Sequence, residues 1–357
     1  MKFWPHALIT TSTHDTKRGE DTRARINVLS EMPDTWRQCL IHWRRLNKKQ
    51  KIVVDGQSVP DHNEEYLLYQ TLIGVWPVQE SGHVEYQLLK ERVTDYIIKA
   101  AREAKVNTSW INPNAVYEDA LKLFLDRILR REPGNLFLEN LTSFQGKISH
   151  LGMFNSLSQT LLKITSPGVP DFYQGTEVWD FSLVDPDNRR PVDYAMRIKM
   201  IDDLTKRLSE ISRQELALDL TAHKENGAIK MYLIQTALSF RRNNAELFKN
   251  GEYLPIDVIG GKAEHVCAFL RKAGNRTIIV AVPRFFSRLI TAMGRLPLGR
   301  HVWEDSFLVI PDSDSLSKYR HIFTGEVITT VDHDGANALY LSHVFEHFPV
   351  ALLEQVG

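Results

Sequence analysis

The spacing of apolar residues changes for good at Gly251, and no other feature constrains the fold as strongly. Upstream, from about residue 61 to residue 163, apolar residues recur at the period of a helix with one buried face. Asp61 followed by Glu64 has the form of a capping box, with Asp in place of Ser or Thr, ahead of Leu67, Leu68, Thr71, Leu72 and Val75. A second stripe runs through Leu89, Val93, Tyr96, Ile97 and Ala100. A third, from Val116 to Leu129, stops at Pro133-Gly134, and a fourth joins Ile148, Leu151, Phe154, Leu157, Leu161 and Ile164. Helix resumes over Tyr194–Leu208 and Lys230–Leu247. Downstream of Gly251 the pattern is of short strands, at 265–271, 276–283, 301–310, 326–331 and 338–345. Gly260-Gly261, Gly274-Asn275, Pro311-Asp312 and Asp334-Gly335 punctuate them, which predicts a separate β-sandwich at the end.

The front of the chain has a third pattern. ALITTST (7–13) is short, β-branched and apolar, as a buried strand is. A polar turn, HDTKRG, follows, and then EDTRARINVLSEM, with Glu20 and Asp21 in the first turn of a predicted helix. Strand, turn and helix in that order make a βα unit. At 166–177 a Pro- and Gly-containing segment interrupts the helical pattern and offers a second short apolar run, Val169–Tyr173, before the polar loop DPDNRRPVDY. A chain of 357 residues exceeds the size at which one core stops growing, roughly 250–300, so several structural units are expected.

Lys plus Arg (44) balances Asp plus Glu (44), which removes a global electrostatic case for nucleic acid or an anionic membrane as partner. The two cysteines, Cys39 and Cys267, lie far apart with no neighbouring His or Cys at ligand spacing, so neither a disulfide framework nor a zinc site is expected. Nothing approaches the roughly 18 apolar residues of a membrane span, and Pro5, His6 and the Thr/Ser series break any signal-like run. A soluble, cytoplasmic protein is expected.

The strongest chemical signal is Thr13-His14-Asp15-Thr16-Lys17-Arg18-Gly19-Glu20-Asp21. Adjacent imidazole and carboxylate supply donor and acceptor to sugar hydroxyls. A carboxylate near an anomeric carbon also stabilises the charge of an oxocarbenium-like transition state. A bare His-Asp pair reads more simply as a turn with an N-cap aspartate. Lys17 and Arg18 are candidates for binding hydroxyls, or equally turn charges that pair with Glu20 or Asp21. Tyr173 and Gln174, at the end of the second apolar run, are candidate sugar contacts, with a core Tyr as the plain alternative. Trp179 could stack on a sugar ring or close its loop. Arg23 and Arg25 read as structural or solvated helix charges.

The longer context is more specific. STHDTKRGEDTRARINVLSEMP (12–33) closely resembles the corresponding segment of the maltooligosyltrehalose synthases, glucosylmutases of the α-amylase superfamily. SPGVPDFYQGTEVWDFSLVDPDNRRPVDY (166–194) resembles that family's eighth barrel strand and following loop. RRNNAELFKNGEYLPI, HVCAFLR and FPVALL are similar to its C-terminal region. The resemblance covers nearly the whole chain. It implies an α/β plus all-β fold: the C-terminal portion of a (β/α)8 TIM barrel, strands 7 and 8, with a large α-helical insertion and a C-terminal β-sandwich. The implied divisions are 1–34 for strand 7 and its helix, 35–150 for the insertion, 151–250 for strand 8 and closing helices, and 251–357 for the sandwich.

By the same resemblance Asp15 is the transition-state stabiliser, the third catalytic carboxylate, and His14 binds the glucose at the cleavage point. The family's Asp nucleophile and Glu acid/base belong to the fourth and fifth strands. This sequence contains neither a Gly-x-Arg-x-Asp nor an Asp-x-x-x-Asn-His motif, and Asp187-Asn188-Arg189-Arg190 is no substitute. The expectation is therefore part of an intramolecular transglucosylase, inactive alone, that needs the missing N-terminal barrel half, in the same or a separate chain, to act on a maltooligosaccharide. No cofactor or metal is implied. Rival readings are a fragment of an α-amylase-type hydrolase, which would share only the short His-Asp core, and a non-catalytic glucan-binding half of a split enzyme.

Overall fold

A computed structural model describes residues 4–78, 82–292, 294–311 and 316–356. The first three residues and Asp312 of the Pro311-Asp312 turn signal lie outside the described residues. The chain divides into two compact units, one of residues 14–152 and 181–190, the other of 1–13, 153–180 and 191–357.

The first unit is helical. It contains α1 (Glu20–Val28), α2 (Pro33–Asn47), a hairpin of β2 (Ile52–Val54) and β3 (Gln57–Val59), α3 (His62–Val75), α4 (His83–Ala104), α5 (Ala115–Ile128) and the start of α6 (Leu136–Thr165). The expected capping box is present: Asp61 Oδ1 accepts from the Glu64 N–H at 2.8 Å, and Glu64 Oε2 accepts from the Asp61 N–H at 3.2 Å. Asn114 caps α5 by its side chain alone, Oδ1 accepting from the Tyr117 N–H at 3.1 Å. The β2–β3 turn places Asp55 and Gly56 at φ 50° and 78°, the left-handed pair a two-residue hairpin requires. Trp43 is the centre of the core, edge-on to Tyr69 at 5.4 Å and to Phe137 at 5.7 Å between ring centroids.

Arg25 is buried in this unit, where α1 packs closely against two helical glycines. Its guanidinium donates to the carbonyls of Gly74 (3.0 Å) and Trp76 (2.6 Å) and to Ser149 Oγ (2.8 Å), and lies 3.5 Å from the ring centroid of Phe181. A Cβ on Gly74 would stand 2.6 Å from Thr22 Cγ2, and one on Gly152 would stand 2.9 Å from the Cα of Arg25. Glycine in a helix interior costs about 1 kcal/mol relative to Ala; here it lets α1 lie directly on α3 and α6. Of the two readings open for Arg25, the structural one holds. Burial pulls its guanidinium down to about 9, against the opposing pull of Asp21.

The second unit begins with β1 (Leu8–Ile9), which pairs in parallel with β4 (Val169–Pro170), Leu8 opposite Val169 and Ile9 opposite Pro170. Both strands are shorter than their apolar runs, and the expectation of a buried first strand is not met: Leu8 is 74% exposed. This sheet has only two strands among the described residues, so each has an open side. The helices that follow, before Gly251, are α7 (Tyr194–Glu210), α8 (Arg213–Ala222), α9 (Ala228–Asn243) and α10 (Ala245–Asn250). Two arginines, the half-buried Arg241 and the buried Arg271, collect carbonyls at and just beyond helix ends. Arg241 takes those of Ile164 and Gly168, and Arg271 those of Thr165, Leu247, Phe248 and Gly251.

Beyond Gly251 come β5 (Glu252–Pro255), β6 (Val258–Ile259), β7 (Val266–Ala273), β8 (Arg276–Pro283), β9 (Phe307–Val309), β10 (Lys318–His321), β11 (Val327–Thr329), β12 (Val331–His333), β13 (Ala336–Tyr340) and β14 (Ala351–Val356). They form two antiparallel sheets, ordered β11-β10-β14-β8-β7-β5 and β12-β13-β9-β6. Three strand expectations need correction. In 301–310 only Phe307–Val309 is strand, because Arg300–Trp303 closes a helical turn that lets the buried Trp303 Nε1 donate to the Pro297 carbonyl at 2.9 Å. Residues 326–331 are two strands in different sheets, broken at Thr330, whose N–H bonds the Ser317 carbonyl. The last, 338–345, turns helical at Leu341.

Candidate active site

α1 begins at Glu20, with Gly19 as its N-cap and no side chain capping it; Glu20 and Asp21 complement the positive helix end. Gly19, four residues after Asp15, is thus the N-cap residue of α1. His14 and Asp15 form an open turn in which His14 Nε2 lies 3.1 Å from Asp15 Oδ2, the side chains 55% and 83% exposed.

Lys17 and Arg18 leave this pair in different directions. Lys17 Nζ donates to Glu103 Oε2 on the last turn of α4 at 2.8 Å. As an exposed pair it contributes less than about 1 kcal/mol, and a competing hydroxyl could displace it. Arg18 is half-buried, donating to Thr71 Oγ1 (3.1 Å) and Gln70 Oε1 (3.5 Å) on α3.

The backbone of the turn is held by residues 181–190. The Gly19 N–H donates to the Ser182 carbonyl at 2.7 Å, Arg18 and Leu183 form an isolated antiparallel bridge, and Asn188 Nδ2 donates to the His14 carbonyl at 2.8 Å. Asp187 receives Arg92 of α4 through both oxygens, at 2.7 and 2.9 Å, and the Leu183 N–H at 2.7 Å. Burial pushes the Asp187 carboxyl up, but Arg92, Leu183 and Arg190 outweigh it and hold it below the usual carboxylate range. Sequence reading did not reach Asp187, Asn188 or Arg92 as site residues. The polar loop was visible, but no periodicity links it to α4.

Tyr173 and Gln174 belong to the other unit. Tyr173 is half-buried and Gln174 exposed, just beyond β4. The Tyr173 carbonyl accepts from Thr176 Oγ1 at 2.7 Å, and Arg197 pins the following residues through the Gly175 carbonyl (2.8 Å) and Glu177 (2.9 Å). Trp179 closes its loop, donating from Nε1 to the Lys224 carbonyl at 2.8 Å. Among the described residues no group of three or more His, Cys, Asp or Glu is placed to hold a metal ion, and no helix is long and apolar enough to cross a membrane.

Comparison with known proteins gives this geometry its context. No family model matches the chain. Two curated proteins of Mycobacterium tuberculosis, from strains CDC 1551 and H37Rv and both described as maltooligosyl trehalose synthases, are 38% identical over 311 residues, 87% of this chain. The solved maltooligosyltrehalose synthase of Arthrobacter ramosus superposes with a TM-score of 0.75 at 32% identity, over 99% of this chain and 39% of that one. The chain is a homologue of the maltooligosyltrehalose synthases and matches their C-terminal part. A further synthase structure, from Sulfolobus tokodaii, gives 0.64 at 30% identity over 96% of this chain and 38% of its own. The chain spans about a third of the curated synthases it matches, 34% of their length.

Proposed function

We propose that this chain is the C-terminal part of an intramolecular transglucosylase. The complete enzyme converts the reducing-end α-1,4 bond of a maltooligosaccharide to an α,α-1,1 bond, leaving a terminal trehalose unit. In this reading β1 and β4 are the seventh and eighth strands of a (β/α)8 barrel, residues 35–150 an inserted helical region, and the two sheets after Gly251 a β-sandwich. The observation that carries it is the parallel pairing of β1 with β4 across a long crossover, with the His14–Asp15 turn following β1 at its C-terminal end. Barrel enzymes hold their catalytic groups at that end of their strands.

Asp15 then stabilises the oxocarbenium-like transition state and His14 bonds a hydroxyl of the same glucose. Lys17 and Arg18 serve the leaving-group side, and Tyr173 and Gln174 contact sugar. Retaining chemistry needs two further carboxyl groups about 5–5.5 Å apart, and their motifs are absent from this sequence. The isolated chain is accordingly inactive and works, in the cytoplasm, with an N-terminal barrel half. The test is the change in reducing ends of maltohexaose with the chain alone and with the chain joined to the remaining two thirds of a homologous synthase. The expected result is no change alone, and in the joined protein a loss of reducing ends that disappears with Asp15→Ala. Activity of the chain alone would overturn the inactivity, and a gain of reducing ends would assign a hydrolase instead.

A further inference from the structure

We propose that Asp187 and Asn188, locked by Arg92, are the positioning residues that fix the His14–Asp15 turn. The inference deepens the function proposed above and rests on it for the role of Asp15, though not for the contacts themselves. The side chains of His14 and Asp15 are mostly exposed. Three ties from one short segment hold the backbone of the turn: Asn188 to the His14 carbonyl, Ser182 to the Gly19 N–H, and Leu183 to Arg18. They bracket Asp15 on both sides in sequence.

That segment has no regular structure beyond one 3-10 turn at Asp187–Arg189, so it too must be held from outside. α4 holds it. Arg92 grips both oxygens of Asp187 and the Phe181 carbonyl (2.9 Å), and Lys99 Nζ bonds the Asp185 carbonyl at 2.5 Å. Asp187 Oδ2 in turn receives the Leu183 N–H, the residue bridged to Arg18. The Arg92 and Asp187 side chains are only 16% and 11% exposed, so this bidentate pair escapes the screening that weakens surface ion pairs. The Lys17–Glu103 pair, by contrast, is exposed and leaves the turn little firmer. A rigid path thus runs from α4 through Arg92 and Asp187 to the turn. Misplacing a reacting group by about 1 Å costs on the order of 100-fold in rate, which is what such a path prevents.

Two measurements test this. The first is amide exchange of Gly19 and Leu183 in the chain as it stands, compared with Asp187→Asn, Asn188→Ala and Arg92→Lys. Asp187→Asn should speed exchange of both amides about tenfold, with α5 unchanged, and Arg92→Lys should fall between it and the parent. Gly19 exchanging at the parental rate in Asp187→Asn would overturn the path. The second is kinetics in the protein joined to the rest of a homologous synthase. Asp187→Asn and Asn188→Ala should each lower kcat about tenfold or more with KM changed less than about twofold. An unchanged kcat, or a loss confined to KM, would overturn the positioning role. A parent protein with no mutase activity would refute the function proposed above, and the exchange measurement would still decide whether the clamp holds the turn.

Discussion

His321 makes the folded chain sensitive to acid in a way that can be worked out in advance. It ends β10, is 2% exposed, and its Nδ1 faces the Phe323 N–H at 3.3 Å. Burial, with a smaller contribution from His347, drives its imidazole from 6.5 down to about 3, while a backbone hydrogen bond at Val350 pulls slightly the other way. Between those two values the unfolded chain binds a proton that the folded chain refuses, so acid favours unfolding. Stability from this site is intact above 6.5 and falls as the pH drops toward 3. At pH 5 the unfolded histidine is nearly all protonated and the folded one nearly all neutral, which costs about 2 kcal/mol, from about 1.4 kcal/mol for each unit. His321→Gln removes the proton site, so the measurement is urea unfolding of both proteins at pH 7.5 and pH 5, followed by tryptophan fluorescence. The parent should lose about 2 kcal/mol more than the variant between the two. Losses equal to within about 0.5 kcal/mol would show that His321 is protonated in the fold, and the reasoning from burial would fail.

Gly152→Ala should lower thermal stability by about 1–2 kcal/mol, because a clash with the Arg25 backbone outweighs the gain in helix propensity; a higher melting temperature would refute the close approach of α1 and α6. Asp61→Ala should cost about 1 kcal/mol in chemical denaturation through loss of the capping box, with a negligible change counting against it. Arg271→Met should cost about 3 kcal/mol by stranding the carbonyls that end α6 and α10, and a neutral result in the same titration would mean that water replaces it.

The features that were legible in the sequence are those that depend on neighbours a few residues away. Asp61 and Glu64 cap α3 as their spacing predicts, and the four apolar stripes follow the buried faces of α3 to α6, except that Val116 is exposed and Leu67 and Ala100 are half-buried. Glu20 and Asp21 occupy the first turn of α1. At Arg300–Trp303 and after Tyr340, where the chain forms a helical turn and not strand, the apolar run is too short for its period to separate the two. The break at Thr330 was equally invisible, since which sheet a strand joins depends on partners distant in sequence.

The same division runs through the candidate site. The sequence by itself determined that His14 and Asp15 lie in a polar turn ahead of a helix, that the chain carries helical stripes before Gly251 and strands after it, and that it resembles one enzyme family in ordered blocks. Only the tertiary structure decided that Gly19 is the N-cap residue of α1, that Lys17 pairs with Glu103 and Arg18 with α3, and that Asn188 and Asp187 hold the turn. Helix caps and apolar stripes are set by backbone geometry over one or two turns, which any stretch of sequence carries with it. A bidentate ion pair between Arg92 and Asp187, or a backbone tie from Asn188 to His14, joins segments that only long-range packing brings within hydrogen-bond distance.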